Sequence, residues 1–523
     1  MSAQGTRPLS RDLVLAAMVF AVAMTFIDQT IVAIAVPKLQ HELGISSAGA
    51  QWVINGYLLS LSALFAFGGR LGDVLGRRNM VVIGVVVFAI ASACCGLTPR
   101  GAIAEAWLIF FRVVQGAGAA LMFPASVAIV VATFPVNQRG RAMAIFFGIT
   151  GGLTAIGPLA GGYLTQWTWR AIFWVNIPVA IIALILIRLS KPENERRPSK
   201  IDYRGTVLIC FAMGLIVLGL QQSSVWGWSS PATWACIVLG AVTMVAFVLW
   251  ELRVDVPLLR LRIFRDRNFS VDNAALLLMS FVFVPYFFFA SVYAQVSLGK
   301  SASEAGVYLL YFFIGFVVLA QIGGRILDRR GARPAVVIGS AMAAVGFYLL
   351  AKRLPDLSLH QQKWSILLAG GGVGLMLGPA STDAVNRAPS TNYSEVTGIT
   401  QTVRNFGASL GLAVLGTVLI HRDKTEVGRA LRTRGVPAPR AEHIASQIGT
   451  SSSGTVSNGN ASADHAVRLA TAHATSTVFQ VMAAVMAACF MLTFLLYPRG
   501  RVQEGAALRA GEAEPDAQLA RST

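Results

Sequence analysis

Apolar residues in this chain run on for 18 to 25 positions at a time, and the breaks between runs are short, charged and glycine-rich. The runs cover approximately 13–36, 50–69, 80–97, 104–126, 143–165, 170–189, 206–223, 233–251, 271–295, 306–325, 335–352, 365–385, 398–420 and 476–497. Crossing a hydrocarbon core ~30 Å thick takes ~20 apolar residues in a helix. Continuous runs of that length point to helices, whereas a membrane barrel would show segments of about ten residues with alternating hydrophobicity. The pattern predicts an all-α integral membrane protein with fourteen transmembrane helices.

One break, Gly69-Arg70-Leu71-Gly72-Asp73-Val74-Leu75-Gly76-Arg77-Arg78, returns in weaker form as Gly324-Arg325-Ile326-Leu327-Asp328-Arg329-Arg330-Gly331-Ala332-Arg333. The offset is 255 residues, and it also carries Pro124-Ala125-Ser126 onto Pro379-Ala380-Ser381. Two motifs repeating at one spacing indicate a duplicated architecture. Residues 13–189 and 271–497 then form two pseudo-symmetric six-helix bundles, joined by a connector over 190–270 with an inserted helix pair at 206–223 and 233–251. Parallel six-span repeats occur in one large class of secondary transporters. Residues 1–12 precede the first bundle, a long polar loop is expected over 421–475, and the polar tail 498–523 is expected to be disordered.

Composition sharpens this picture. With 55% hydrophobic and 13% charged residues and a mean hydropathy of +0.63, the chain is too apolar for an ordinary soluble fold. A net charge of +18 suggests nucleic acid until its placement is considered, because the basic residues cluster in the short breaks. With the N-terminus inside, 27 Lys and Arg fall in cytoplasmic segments and 14 outside, 7 of the latter in loop 421–475. The positive-inside rule therefore places both termini in the cytoplasm of a bacterial cell, with the chain multi-pass in the cytoplasmic membrane and bound to no nucleic acid. The first run is too long for a signal peptide and carries Asp28, so it reads as an uncleaved span. The five cysteines lie inside apolar runs without metal-ligand spacing, which argues against disulfides and metal sites. No phosphate-binding loop or nucleophile elbow is present, so the expectation is a non-enzymatic chain without cofactors that draws energy from an ion gradient.

Charged residues inside spans carry the candidate chemistry. Asp28 lies midway along the first span, where an ionised carboxylate costs at least ~2.5 kcal/mol on insertion scales. It is a candidate proton or cation site, the plainer alternative being a structural hydrogen bond near a Pro37 bend. Arg112 in span 4 stays charged and needs a counter-charge or several carbonyls. The two are candidates for a coupled pair, the alternative for Arg112 being snorkelling or bonds to span-1 carbonyls. Arg404 in span 13 is a weaker counterpart. On span 5, Gly148, Gly152, Gly157, Gly161 and Gly162 form a small-residue stripe, and Pro158 weakens the helix between them. Asp73 among Arg70, Arg77 and Arg78 reads as a clasp near the start of span 3 or against an arginine of the opposite half, with Gly69 and Gly76 framing it and Arg325 and Asp328 repeating it. Substrate-cavity candidates are Trp52, Asn55 and Tyr57 on span 2, Gln115 on span 4, Tyr286, Tyr293 and Gln295 on span 9, and Arg404. The aromatic run from Phe281 to Tyr293 is too dense for one helix face, so much of it is expected to face lipid or neighbours. Glu251 and Glu304, near span ends, are expected to be solvated.

These residues carry a resemblance. Gly69–Arg78 looks like the loop 2–3 signature of the major facilitator superfamily, and Phe110-Phe-Arg112-Val-Val-Gln115-Gly116-Ala-Gly118 is similar to its span-4 motif. Gly152-(x4)-Gly157-Pro158-Leu-Ala-Gly161-Gly162 looks like the antiporter motif of span 5. Residues Ile27 to Pro37 are similar to the first-span signature of the fourteen-span drug:proton antiporters, with Ala33 where that signature has Asn. Trp169-Arg170, Phe173 and Asn176-Ile177-Pro178 add a further match. The likeness covers roughly residues 13–498. It implies alternating access between the bundles, proton coupling through Asp28 and Arg112, gating by the glycine-rich loops, and export of a small hydrophobic or cationic drug or antibiotic by a monomer. A nutrient symporter or uniporter, and a non-transporting sensor or scaffold, are the alternatives.

Overall fold

The computed structural model describes residues 11–134, 136–194, 196, 201–386, 393–432 and 461–497. The first half contains α1 (Arg11–Leu43), α2 (Ser47–Leu75), α3 (Arg77–Gly96), α4 (Ala104–Thr133), α5 (Val136–Trp167), a short α6 (Ala171–Trp174) and α7 (Asn176–Ser190). The inserted pair is α8 (Tyr203–Trp226) and α9 (Pro231–Glu251). The second half contains α10 (Arg267–Val296), α11 (Ala302–Arg330), α12 (Ala332–Arg353), α13 (Leu359–Asn386), α14 (Tyr393–Arg432) and α15 (Ala461–Leu496). Among the described residues, thirteen spans are long and apolar enough to cross a membrane, counting α6 and α7 as one, and α5 adds a helix of 32 residues.

Span 6 is broken at Val175, three residues before Pro178, because proline cannot donate to the preceding turn. The break is stapled from both sides. Trp169 is fully buried and donates Nε1–H to Glu42 Oε2 at 2.9 Å, while Arg170 lies over its ring and donates to the Gly96 and Thr98 carbonyls.

The loop expected over 421–475 is much shorter in the structure. α14 continues to Arg432 and α15 begins at Ala461, so helix occupies both ends of that range. Hydropathy marks where a helix meets lipid, not where its backbone hydrogen bonds stop, and polar turns continue it, with pairs such as Arg429–Glu426 at 3.4 Å. The rest of that loop, and the tail 498–523, lie outside the described residues.

In lipid, apolar contact alone does not drive helices together, so close backbone approach over small residues supplies the packing. A Cβ on Gly68 of α2 would run into the Ala120 carbonyl of α4, and one on Gly323 of α11 would run into the Leu375 carbonyl of α13. Both pairs are separated by the same 255 residues as the loop motifs, so the duplication extends to backbone packing. Gly76 (φ +100°) and Gly331 (φ +82°), again 255 apart, turn the chain between consecutive helices in a conformation that side-chain-bearing residues rarely adopt.

The inserted pair is asymmetric. α9 exposes Trp234, Val238, Leu239, Val242, Val245 and Leu249, as a lipid-facing helix does. α8 sits at the seam between the halves. It meets α2 where the Ser62 hydroxyl lies 3.7 Å from Met213 Sδ, and α14 through Thr417, which donates to the Leu220 carbonyl at 2.9 Å. Glu251, expected to be solvated, is buried, because the connector folds back and the Leu259 N–H donates to its Oε2 at 3.0 Å. Glu304 is exposed and completes a capping box with Ser301.

Gly68→Val should therefore destabilise the protein by roughly 1–3 kcal/mol or more through overpacking. Gly214→Val, at a site with no atom within 4 Å of the added carbon, should be tolerated. Thermal unfolding of the purified variants, followed by fluorescence-detected size exclusion, distinguishes the two.

Candidate functional site

Asp28 and Arg112 meet. Both side chains are fully buried, and Arg112 Nη1 donates to Asp28 Oδ2 at 2.5 Å. The same nitrogen donates to Gln115 Oε1 at 2.7 Å, and Arg112 Nε donates to the Val53 carbonyl of α2 at 2.7 Å. Gln115 Nε2 donates to the second carboxylate oxygen, Asp28 Oδ1, at 3.0 Å. Asp28 thus has a donor on each oxygen, and Arg112 and Gln115 sit three residues apart, so both point from one face of α4 toward α1. Snorkelling of Arg112 does not occur.

The network continues through uncharged groups. Gln115 Nε2 also donates to Ser92 Oγ of α3 at 3.3 Å, Ser92 donates to the Phe173 carbonyl at 2.8 Å, and Asn176 of α7 donates to Ser92 at 2.9 Å. Tyr57 of α2 lies beneath the guanidinium at 4.5 Å and donates its hydroxyl to the Thr25 carbonyl at 3.3 Å. Helices from every span of the first half except the fifth feed this cluster. Burying a charge pair is tolerable when its remaining donors and acceptors are satisfied, and here the surrounding spans satisfy them.

The fifth span contributes by shape. A Cβ on Gly157 would collide with Thr30 Oγ1, and one on Gly161 would lie 2.9 Å from Ile31 Cγ1 and 3.0 Å from its carbonyl. Both glycines thus press α5 onto the turn of α1 that follows Asp28. Gly162 faces the other half, where a Cβ would lie 2.7 Å from the Ala302 carbonyl at the start of α11. The side-chain positions of Gly148, Gly152 and Pro158 lie outside the described residues, although their backbone belongs to α5.

The halves also touch where α1 and α10 end. Gln295 Nε2 donates to the Ile34 carbonyl at 2.9 Å, and Gln166 of α5 hydrogen-bonds Ser303 of α11. Along α2 and α14, Ser409 donates to Asn55 Oδ1 at 2.6 Å, Asn55 donates to Gln221 Oε1 of α8 at 2.6 Å, and Ser62 donates to the Thr402 carbonyl at 2.9 Å.

Several cavity candidates are thereby placed elsewhere. Asn55 is fully buried in the seam, Tyr57 and Gln115 belong to the charge cluster, and Gln295 bridges the halves. Tyr286 stacks on Phe312 with ring centroids 4.2 Å apart, and Phe287 stacks on Phe313 at 4.9 Å. Tyr293 donates its hydroxyl to the Leu354 carbonyl at 2.6 Å and accepts from Gln362. The aromatic run does not face lipid: α10 has packed neighbours on all sides, so a dense run can be buried. Trp52 remains half-buried. Arg404, half-buried, donates to Gln401 Oε1 at 2.7 Å and has no carboxylate partner among the described residues.

At the repeated loop, Asp73 pairs with Arg77 at 3.0 Å beside the first turn of α3, not with an arginine of the opposite half. Asn194 leans on this loop, accepting from the Asn79 N–H at 3.4 Å. In the second copy, Ala332 occupies the position of Arg77, so Arg325 and Asp328 lack the matching i,i+4 partner.

Nothing in the sequence pointed to Ser92 or Gln221, and Asn176 stood out only as part of a motif, because their polar groups become informative only through their partners. Nor did the sequence point to Asp272 and Asp383, buried acids one or two turns inside helix ends, where hydropathy still reads as boundary.

Breaking the pair from one side leaves a buried charge uncompensated, so Arg112→Leu should cost about 3–5 kcal/mol. The neutral pair Asp28→Asn/Arg112→Gln should recover much of that loss, as measured by thermal unfolding in detergent.

Known proteins resemble this chain in sequence and in fold. Residues 18–412 match the model of the Major Facilitator Superfamily. A "Tetracenomycin C resistance and export protein" of Streptomyces glaucescens is 35% identical over 78% of this chain and 76% of its own. The "Multidrug resistance protein Stp" of Mycobacterium tuberculosis is 31% identical over 81% and 79%, and the "Puromycin resistance protein pur8" of Streptomyces alboniger 33% over 76% and 79%. Among solved structures, a bacterial homolog of the lysosomal transporter Spinster superposes with a TM-score of 0.63 at 18% identity, covering 94% of this chain and 98% of that one. A D-xylose–proton symporter superposes at 0.62 with 13% identity, covering 94% and 99%. This likeness shows the shared fold, and the family match and the sequence relatives show that the chain belongs to the Major Facilitator Superfamily.

Proposed function

We propose that this protein is a proton-coupled antiporter that exports hydrophobic drugs or antibiotics across the bacterial cytoplasmic membrane by alternating access. One observation carries the coupling: a buried Asp28–Arg112 pair sits on a helix whose next turn is gripped by Gly157 and Gly161 of α5. The cargo class is supported by relatives that are named for resistance and export.

Asp28 is the group that takes the proton. Protonation neutralises the carboxylate and removes its attraction for the guanidinium, which keeps its bonds to Val53 and Gln115. α1 is then held to α4 less tightly, while the glycine contacts keep it moving with α5. α5 in turn meets α11 through Gly162 and Gln166, so a shift of α1 reaches the seam between the halves. The contacts at Ile34–Gln295 and Gln166–Ser303 lie on the face that the basic residues assign to the exterior, a closed outer side. Asp73–Arg77 and the turns at Gly76 and Gly331 act as the inner latch. Arg404 and Trp52 are the remaining cavity-lining residues for cargo.

Expressed in an efflux-deficient host and scored against a drug panel, the protein should confer resistance that a proton uncoupler abolishes. Asp28→Asn should insert normally yet leave the host as sensitive as one carrying an empty vector; wild-type resistance from that variant, or resistance indifferent to the uncoupler, overturns the coupling. Gly157→Val should reduce export with the Asp28–Arg112 pair chemically intact, because α5 can no longer close on α1.

A further inference from the structure

The two copies of the glycine-rich loop have diverged in a way that the transport cycle does not account for. In the first, Arg77 is held by Asp73. In the second, Ala332 removes that pairing, and Arg333, the counterpart of Arg78, turns to the end of the last helix and donates Nη2–H to the Phe494 carbonyl at 2.9 Å. Beside it lies a cavity of about 510 Å³, lined by Arg267, Asn268 and Arg333 and by Phe494, Leu495, Leu496 and Tyr497 from the end of the last helix.

Its chemistry is divided. Arg267 opens α10 and Arg333 stands in the first turn of α12, so two guanidinium groups and two helix N-termini converge on one opening. Neither arginine is ion-paired with a carboxylate among the described residues. The nearby acid, Asp266, is engaged in capping α10 through the Asn268 and Phe269 N–H groups. The stretch from the last helix is largely apolar, with Phe494 52% and Leu495 63% exposed, as expected of side chains that meet hydrocarbon, while the buried Tyr497 turns its hydroxyl to Asp383. A free anion uses the guanidiniums and gains nothing from the apolar wall, whereas a phospholipid uses both.

We propose that this cavity binds the phosphate headgroup of an anionic phospholipid of the inner leaflet, with the acyl chains laid along the end of α15. All three segments lie on the side that the basic residues assign to the cytoplasm, where basic pockets between transmembrane helices take acidic headgroups. The site joins α10, α12 and α15 of the second half, away from Asp28 and Arg112, so its fate is separable from that of the coupling pair.

The test is native mass spectrometry of the purified full chain titrated with phosphatidylglycerol or with phosphatidylcholine of matched acyl chains. Wild type and the distant control Arg422→Gln should hold phosphatidylglycerol more tightly, by on the order of tenfold. Arg267→Gln/Arg333→Gln should lose that preference while remaining monodisperse, and Arg267→Lys/Arg333→Lys should keep it. An unchanged preference in the glutamine variant overturns the site. Displacement of the lipid by millimolar inorganic phosphate, with binding indifferent to the acyl chains, would reassign it to a free phosphate and overturn the lipid proposal.

Discussion

A carboxylate and a guanidinium held together in the middle of a membrane helix bundle constrain everything around them. Neither is at home in hydrocarbon, and the pair is tolerable only while each remaining lone pair and N–H finds a partner. Spans 2, 3, 4 and 6 of the first half surround the acid of span 1 and share in that task through Val53, the Tyr57 ring, Ser92, Gln115 and Asn176. Their convergence defines the first bundle. In the proposed function it is also where a proton would act, because the carboxylate can be neutralised and the guanidinium cannot.

Bringing five spans so close to one point requires thin helices. Gly116 lets α4 approach the backbone of α2 at Tyr57, Gly118 sets α4 against α3 at Phe88, and Gly157 and Gly161 set α5 against α1. Lipid offers no hydrophobic gain for helix association, so these approaches substitute for it. The second half uses the same device at Gly315, Gly323 and Gly370, around an aromatic core instead of a charge pair. The duplicated scaffold therefore carries two differently filled interiors. The inserted helix α8 spans their seam through Gln221, Ser62 and Thr417, which makes it a strut between the halves.

Asp28 and Arg112 stood out in the sequence because a charge inside an apolar run has few reasons to be there. Gln115 stood out as a cavity candidate and in the structure bonds Asp28 and Arg112, Asn176 stood out only as part of a motif, and Ser92 not at all, since a hydroxyl or an amide in a span is ordinary until its partner is known. The aromatic run of α10, too dense for one face, was expected to meet lipid or neighbours, and it meets neighbours, because α10 is packed on every side. Glu251 misled because proximity to a span end suggested water, and the returning connector covers it.

The sequence by itself determined the number of spans, their duplication at a 255-residue offset, the family, and the presence of an acid and a base within the membrane, all properties that hydropathy, spacing and motif record locally. The tertiary structure alone decided that Asp28 and Arg112 touch, that Gly157 and Gly161 grip the helix bearing the acid, and that Asn55 and Gln295 join the halves. Pairings between residues 84 to 354 positions apart depend on how helices rotate about their axes and how closely they approach, and no local pattern encodes either.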